Sequence, residues 1–196
     1  MGLLEHDKLF VKQKAKLIEL TNEYGIFDDQ GTHVGSVREI GQSKARKVLR
    51  FVSNVDQFLT HKYAVYEADG SIALGMMRPA KFMKSKVVVT GADGAEIGQI
   101  VQQNVFGKKR FGLRSQQGDA LGAINAENWR SWDFAILGPD GAEVGRITKK
   151  WAGVAKELFT TADNYLVEIG PAATGTLRQL AMAAAVGIDT ALKQDE

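Results

Sequence analysis

Val87-Val88-Val89-Thr90-Gly91-Ala92-Asp93-Gly94-Ala95-Glu96-Ile97-Gly98 reads as a complete β-hairpin. A β-branched run meets a turn rich in Gly and Asp, and a second apolar run returns from it. The Asp93-Gly94 pair suits a type I′ turn, which needs positive φ at both central residues. Gly98 falls near the middle of the returning strand. A glycine there marks a bulge or a close approach by neighbouring backbone.

The same unit recurs along the chain. Tyr24 to Gly35 carries Gly31 and closes on Val34-Gly35. Phe111 to Gly122 carries Gln117-Gly118 and Leu121-Gly122. Phe134 to Gly145 carries Asp140-Gly141 and Val144-Gly145. A looser copy runs from Tyr63 through Asp69-Gly70 to Gly75. The central glycines at 70, 94, 118 and 141 are spaced by 24, 24 and 23 residues. Two strands and two turns per period leave roughly ten residues per strand with its loop, the rhythm of an all-β barrel or sandwich. Composition agrees: with 21 Gly and only 3 Pro, the glycines serve tight turns, not flexible linkers.

Two stretches break the repeat. Ser43 to Phe58 sets Ala45, Val48, Leu49, Val52 and Val55 at helical spacing behind a Ser43 N-cap. It predicts an inserted amphipathic helix over 43–58, with Lys44, Arg46, Lys47 and Arg50 on its outer face. After Pro171, the span 174–193 predicts a second helix with Thr176 as N-cap. Its Leu177, Leu180, Ala181, Ala184, Ala185, Ile188, Ala191 and Leu192 cover most of the circumference, so it expects burial on many sides. A transmembrane span needs about 20 apolar residues. Here the uncharged run is bounded by Arg178 and Asp189, so burial in protein is expected over burial in lipid.

The 196 residues form one domain, with residues 1–7 expected as a tail and 174–193 as a central helix. Hydrophobic residues at 44% and charged residues at 24% are ordinary for a globular chain. The absence of cysteine excludes disulfides, thiolate metal sites and thiol catalysis. The first residues lack the basic and apolar regions of a signal peptide. His6 stands where an N-myristoylation signal needs Ser or Thr. These features predict a cytoplasmic location. The net charge of +2 gives no global field for nucleic acid, so nucleic acid is not expected as a partner.

The hairpins are followed or interleaved by Asn104-Val105-Phe106-Gly107-Lys108-Lys109-Arg110-Phe111 and Asn128-Trp129-Arg130-Ser131-Trp132-Asp133-Phe134. Ile147 to Gly153, Phe159 to Tyr165 and the closing apolar helix continue the order. This ordered set of features resembles bacterial scramblase-like and LURP-one-related proteins of the Tubby-like superfamily. The resemblance spans about Leu9 to Leu192. It implies a mainly β fold: a twelve-stranded antiparallel closed barrel enclosing the C-terminal helix. It also implies a link to phospholipid, through phosphoinositide binding in some Tubby domains and calcium-dependent lipid movement in eukaryotic scramblases. The family's acidic calcium segment precedes the last helix. Here it retains Asp163 and Glu168, while Thr161, Ala172, Ala173 and Thr174 stand at other expected acidic positions. Calcium takes six to eight oxygens, so no metal site and no cofactor are expected.

No enzyme motif is present. His6, His33 and His61 lie outside any metalloprotease helix, and there is neither a nucleophile elbow nor a dinucleotide fingerprint. Asp28, Asp29, Asp69, Asp93 and Asp140 sit in turns, where their side chains cap local backbone. Asp133 is less readily explained by turn chemistry, but one carboxylate is not an acid/base pair. The chain is expected to be non-enzymatic.

Basic clusters recur in the links between hairpins: Lys81, Lys84 and Lys86; Lys108, Lys109 and Arg110; Lys149 and Lys150. Corresponding links fall at one end of a barrel, where cations can engage anionic headgroups. These eight residues are the candidate lipid-binding site of a module that binds anionic phospholipid or phosphoinositide, peripheral to the inner face of the plasma membrane. The alternatives are phospholipid scrambling, and a protein-interaction or regulatory scaffold using the 43–58 helix as its contact surface.

Overall fold

The computed structural model describes residues 1–13, 23–40, 60–79, 85–104, 107–128, 133–149 and 164–192, with side chains through Ala185 in the last segment. A 3-10 turn, η1 (Leu3–Glu5), precedes twelve strands. They are β1 (Lys8–Gln13), β2 (Glu23–Phe27), β3 (His33–Ile40), β4 (His61–Glu67), β5 (Ile72–Arg78) and β6 (Lys86–Thr90). The second half holds β7 (Glu96–Gln102), β8 (Arg110–Ser115), β9 (Ala120–Asn128), β10 (Asp133–Leu137), β11 (Glu143–Thr148) and β12 (Asn164–Ile169). One helix, α1 (Gly175–Leu192), closes the described chain. Each strand pairs antiparallel with its sequence neighbours, and β1 closes on β12 from Lys8↔Glu168 to Lys12↔Asn164. Closure leaves no unpaired edge.

Alternation sets the inside. Leu9 and Val11, Tyr63 and Val65, Leu74 and Met76, Phe111 and Leu113, Phe134 and Ile136, and Tyr165 and Val167 all face the core. The core is completed by α1. Leu180 and the five consecutive residues Ala181 to Ala185 are each at most 7% exposed. A helix buried at consecutive positions is surrounded on every side, so α1 fills the lumen. It lies nearest β5–β9 and β12, and a small cavity of about 20 Å³ remains between Met182 and the β1, β2, β4 and β5 side. The predicted span of 174–193 matches to one residue at each end. Thr176, expected as the N-cap, lies inside the first turn because the helix begins at Gly175.

The repeated turn differs from the type I′ expectation. Gly94 N–H donates to Gly91 O at 3.0 Å, which makes Gly94, with φ 80°, the fourth residue of the turn and not one of its central pair. Gly31, Gly70, Gly118 and Gly141 repeat this, each as fourth residue of its turn. This is the longer hairpin loop in which a left-handed glycine follows the turn and forms a bulge. The Asp caps as expected: Asp28, Asp93 and Asp140 accept backbone N–H bonds at 2.8–3.0 Å.

The second glycine of each unit does both things foreseen for it. A register shift sits beside it on the returning strand in four hairpins, and in β4–β5 the shift falls at Ala73, two residues before Gly75. The extra residue turns inward, which is why Val34, Ala73, Ile97 and Leu121 pack against the core. The glycine then lets the next strand's backbone approach. A Cβ on Gly98 would lie 2.3 Å from Arg114 O, and one on Gly122 would lie 2.3 Å from Leu137 O. Leu180 and Leu177 of α1 rest against the same two glycines.

Residues 1–7, expected as a tail, are held in place. Leu3 is buried and its N–H donates to Glu67 Oε2 at 2.8 Å. Arg178 in the first turn of α1 donates to Leu4 O and His6 O, both at 2.7 Å. The physical reason is that the barrel's near end needs a stopper, and Leu3 supplies it.

Candidate functional site

Antiparallel order sorts the connections between two ends. The β2–β3, β4–β5, β6–β7, β8–β9, β10–β11 and β12–α1 turns share the hairpin end. In sequence these six turns hold six Asp and no Lys or Arg. The six links leaving the opposite end hold fourteen Lys and Arg against four Asp and Glu. In sequence, then, a nearly neutral chain separates acidic turns from basic links; of the link cations, the described residues include Lys108, Lys109 and Lys149.

The candidate lysines map onto the link end. Lys86 opens β6, Lys108 and Lys109 precede β8, Arg110 opens β8, and Lys149 follows β11. Lys86, Lys108 and Arg110 are exposed; Lys109 and Lys149 are half-buried. The β6 and β8 groups flank one strand, β7, and Lys149 lies three strands further round. Lys81, Lys84 and Lys150 lie outside the described residues. So do the 43–58 helix and Asp163.

A hydrogen-bonded brace fixes the richest of these links. At the end of β7, Gln102 N–H donates to Ser85 O at 2.8 Å, and its Oε1 accepts from Ser85 N–H at 3.0 Å. Gln102 Nε2 donates to Asn104 O at 2.9 Å. Asn104 donates from Nδ2 to Lys108 O at 2.7 Å and accepts at Oδ1 from Arg110 N–H at 2.9 Å. Ala126 N–H binds Lys109 O at 2.9 Å, and Gln103 N–H binds Arg110 O at 2.8 Å. Gly107 provides the turn with φ 81°. The backbone carrying three consecutive cations is therefore held from both sides.

Beneath this rim the lumen changes character. Five successive strand ends or their approaches, β3 to β7, finish the buried row with Glu39, His61, Arg78, Ser85 and Gln102. His61 Nδ1 lies 2.5 Å from Glu39 Oε1, and Arg78 is the register partner of His61. On the other side of the mouth the buried rows end in Phe111, Phe134 and Tyr165. None of Glu39, His61, Arg78 or Gln102 was singled out from sequence as a site. Their signal was present, since each continues an inward row: Val37-x-Glu39, His61-x-Tyr63, Met76-x-Arg78 and Ile100-x-Gln102.

Asp133 and Glu168, both noted from sequence, are engaged in ion pairs. Asp133 Oδ1 accepts from Arg146 Nη1 at 2.7 Å, and Glu143 accepts from Arg146 Nε and Nη2 at 2.9 and 2.8 Å. Glu143, with Asp133, raises the Arg146 guanidinium well above its ordinary pKa, so it is a permanent cation of the barrel's outer face. Glu168 is paired with Lys8 at 2.8 Å. Among the described residues no group of three or more His, Asp or Glu is arranged to hold a metal ion, and no helix is long and apolar enough to cross a membrane.

A closed twelve-stranded barrel filled by its own C-terminal helix defines a helix-filled barrel protein. The chain belongs to the Scramblase family, whose model matches residues 1–192. It is 24% identical over 184 residues to a phospholipid scramblase family protein of Schizosaccharomyces pombe, covering 84% of this chain and 46% of that protein. It is also 24% identical over 174 residues to altered inheritance rate of mitochondria protein 25 of Saccharomyces cerevisiae, covering 76% of this chain and 52% of that one. The chain thus spans about half the length of these curated relatives. No solved structure matches.

Proposed function

We propose that this chain is a non-enzymatic module that docks on anionic phospholipid through the link end of the barrel. The observation that carries this is the charge of the connections: in sequence the six links hold fourteen basic residues and the hairpin turns six Asp and no basic residue, and the described Lys86, Lys108, Lys109, Arg110 and Lys149 all stand at the link end. Each Lys or Arg near an anionic surface contributes about 1 kcal/mol. Several engaged together give reversible binding that salt screens. The acidic hairpin end is repelled by the same surface, so docking is oriented, with α1 roughly along the membrane normal. Family membership supports a phospholipid partner.

Flotation with phosphatidylcholine vesicles, with and without phosphatidylserine, tests the proposal. Binding to the anionic vesicles alone is expected, weakening as salt rises. Replacing Lys108, Lys109 and Arg110 by Gln weakens it and flattens its salt dependence. Equal, negligible binding to both vesicles at low salt removes the proposal.

Membership of the Scramblase family favours a second reading, transbilayer movement of phospholipid. A leaflet-exchange assay in proteoliposomes decides it. No acceleration, with or without calcium, ends that reading and leaves the docking module intact.

A further inference from the structure

We infer that the lumen holds a binding site for one small apolar molecule, between Met182 of α1 and the β1, β2, β4 and β5 wall, closed at the hairpin end by Leu3. The site follows from how α1 sits. The helix lies nearest β5–β9 and β12, so it fills the barrel from one side. Towards the other side it presents Met182 and Ala185, and the short Ala185 side chain leaves the space unfilled. Leu9, Val65 and Leu74 stand on the opposite wall. Among the described residues every lining side chain is aliphatic except the Met182 thioether.

Size and chemistry select the occupant. A volume of about 20 Å³ is room for roughly one to two water-sized spheres. Water itself needs about two to four polar partners. These side chains offer none, and the strand backbone behind them is paired in the closed sheet. Apolar cavities of this kind stay dry and take up apolar solutes. An empty space forfeits dispersion contacts that a guest restores. Met182 suits such a site, because its unbranched side chain adapts to what enters.

Leu3 is both wall and closure. Its Cδ1 occupies the space that a Cβ on Gly35 would take. Its N–H is held by Glu67, and the carbonyls of Leu4 and His6 are held by Arg178. These contacts lie outside the strand ladder, so Leu3 can lift without parting any strands. The site therefore opens at the end opposite the basic links and does not depend on docking there.

Methyl-detected NMR of the full chain under xenon pressure tests the site. Saturating shifts are expected at Leu3, Val65, Leu74 and Met182, and none at Leu113 and Ile124 on the side that α1 fills. Ala185→Val branches into the space and abolishes the shifts. Leu3→Ala enlarges the space instead. That variant is expected to take up benzene, read as shifts at Leu74 and Met182, while the wild-type chain does not. No xenon shift at the lining methyls, shifts that never saturate, or equal shifts at Leu113 and Ile124 overturn the site. So do shifts that persist unchanged in a folded Ala185→Val. Should that variant fail to fold, Leu3→Ala decides alone, and no benzene shift in it overturns the site.

Discussion

His61 and Glu39 meet inside the barrel, with Nδ1 2.5 Å from Oε1 and side chains 0% and 1% exposed. They come from the end of β3 and the start of β4, so the contact joins two neighbouring strands that are twenty residues apart in sequence. Arg78 lies opposite on β5. Removing one member of a buried polar cluster takes a partner from the others in a place that water does not reach.

Glu39→Leu is therefore expected to cost about 3–5 kcal/mol. The Glu39→Leu/His61→Leu double variant should lose clearly less than the sum of the singles, because both singles remove the same contact and the double removes it only once. Urea denaturation, with slopes checked for constancy, gives the cycle. Additive losses would show that the pair is not coupled.

The two glycines of each hairpin make opposite predictions for the same chemistry. Gly94→Asn should be nearly neutral, since the site is open and Asn tolerates the left-handed region that φ 80° requires. Gly98→Ala should lose about 1–3 kcal/mol by overpacking, because its Cβ would sit 2.3 Å from Arg114 O. Thermal melting of the two variants separates them. Equal effects would contradict the close approach of β8 to β7.

Asp69 gives a prediction in pH. Ser71 donates to its Oδ1 from the hydroxyl at 2.6 Å and from N–H at 2.8 Å, and this lowers its pKa below the ordinary 3.8. The unfolded chain then binds the proton more readily than the folded one. The stabilising contribution is fully present above pH 3.8 and is lost as pH falls through the lower folded value. A carboxyl-carbon NMR titration should show the depressed midpoint. Ser71→Ala should raise it towards 3.8, and an unchanged midpoint would dismiss the hydroxyl as its cause.

The hairpins were legible because turn chemistry is local: Asp and Gly at fixed offsets dictate the reversal wherever they occur. Burial of α1 was legible too, since Ala181 to Ala185 leave no polar face. Inward-facing polar residues at the mouth were harder to see. Glu39 and Arg78 read as ordinary solvent charges until strand register shows which face they occupy, and register depends on bulges that a run such as Ile97-Gly98 only hints at. Asn104 was visible as part of a motif, but its bracing role depends on the fold returning Arg110 to within reach of its side chain.

The stopper at the hairpin end supplies the last prediction. Arg178 spans two backbone carbonyls, those of Leu4 and His6, and reaches Asp7 Oδ1 at 2.9 Å. Only a planar fork can do this, so Arg178→Lys should recover just part of what Arg178→Met loses. The Met variant is expected to lose about 2–3 kcal/mol, the scale of hydrogen bonds to a charged donor. Its location matters more than its size. With the clamp gone, Leu3 loses its tether to α1 while the strand ladder is untouched. Hydrogen exchange should then rise sharply at Leu3 to Glu5 and stay slow in β7 and β8. Uniform acceleration across the barrel would mean that Arg178 holds the helix in the lumen and not merely the stopper on its end.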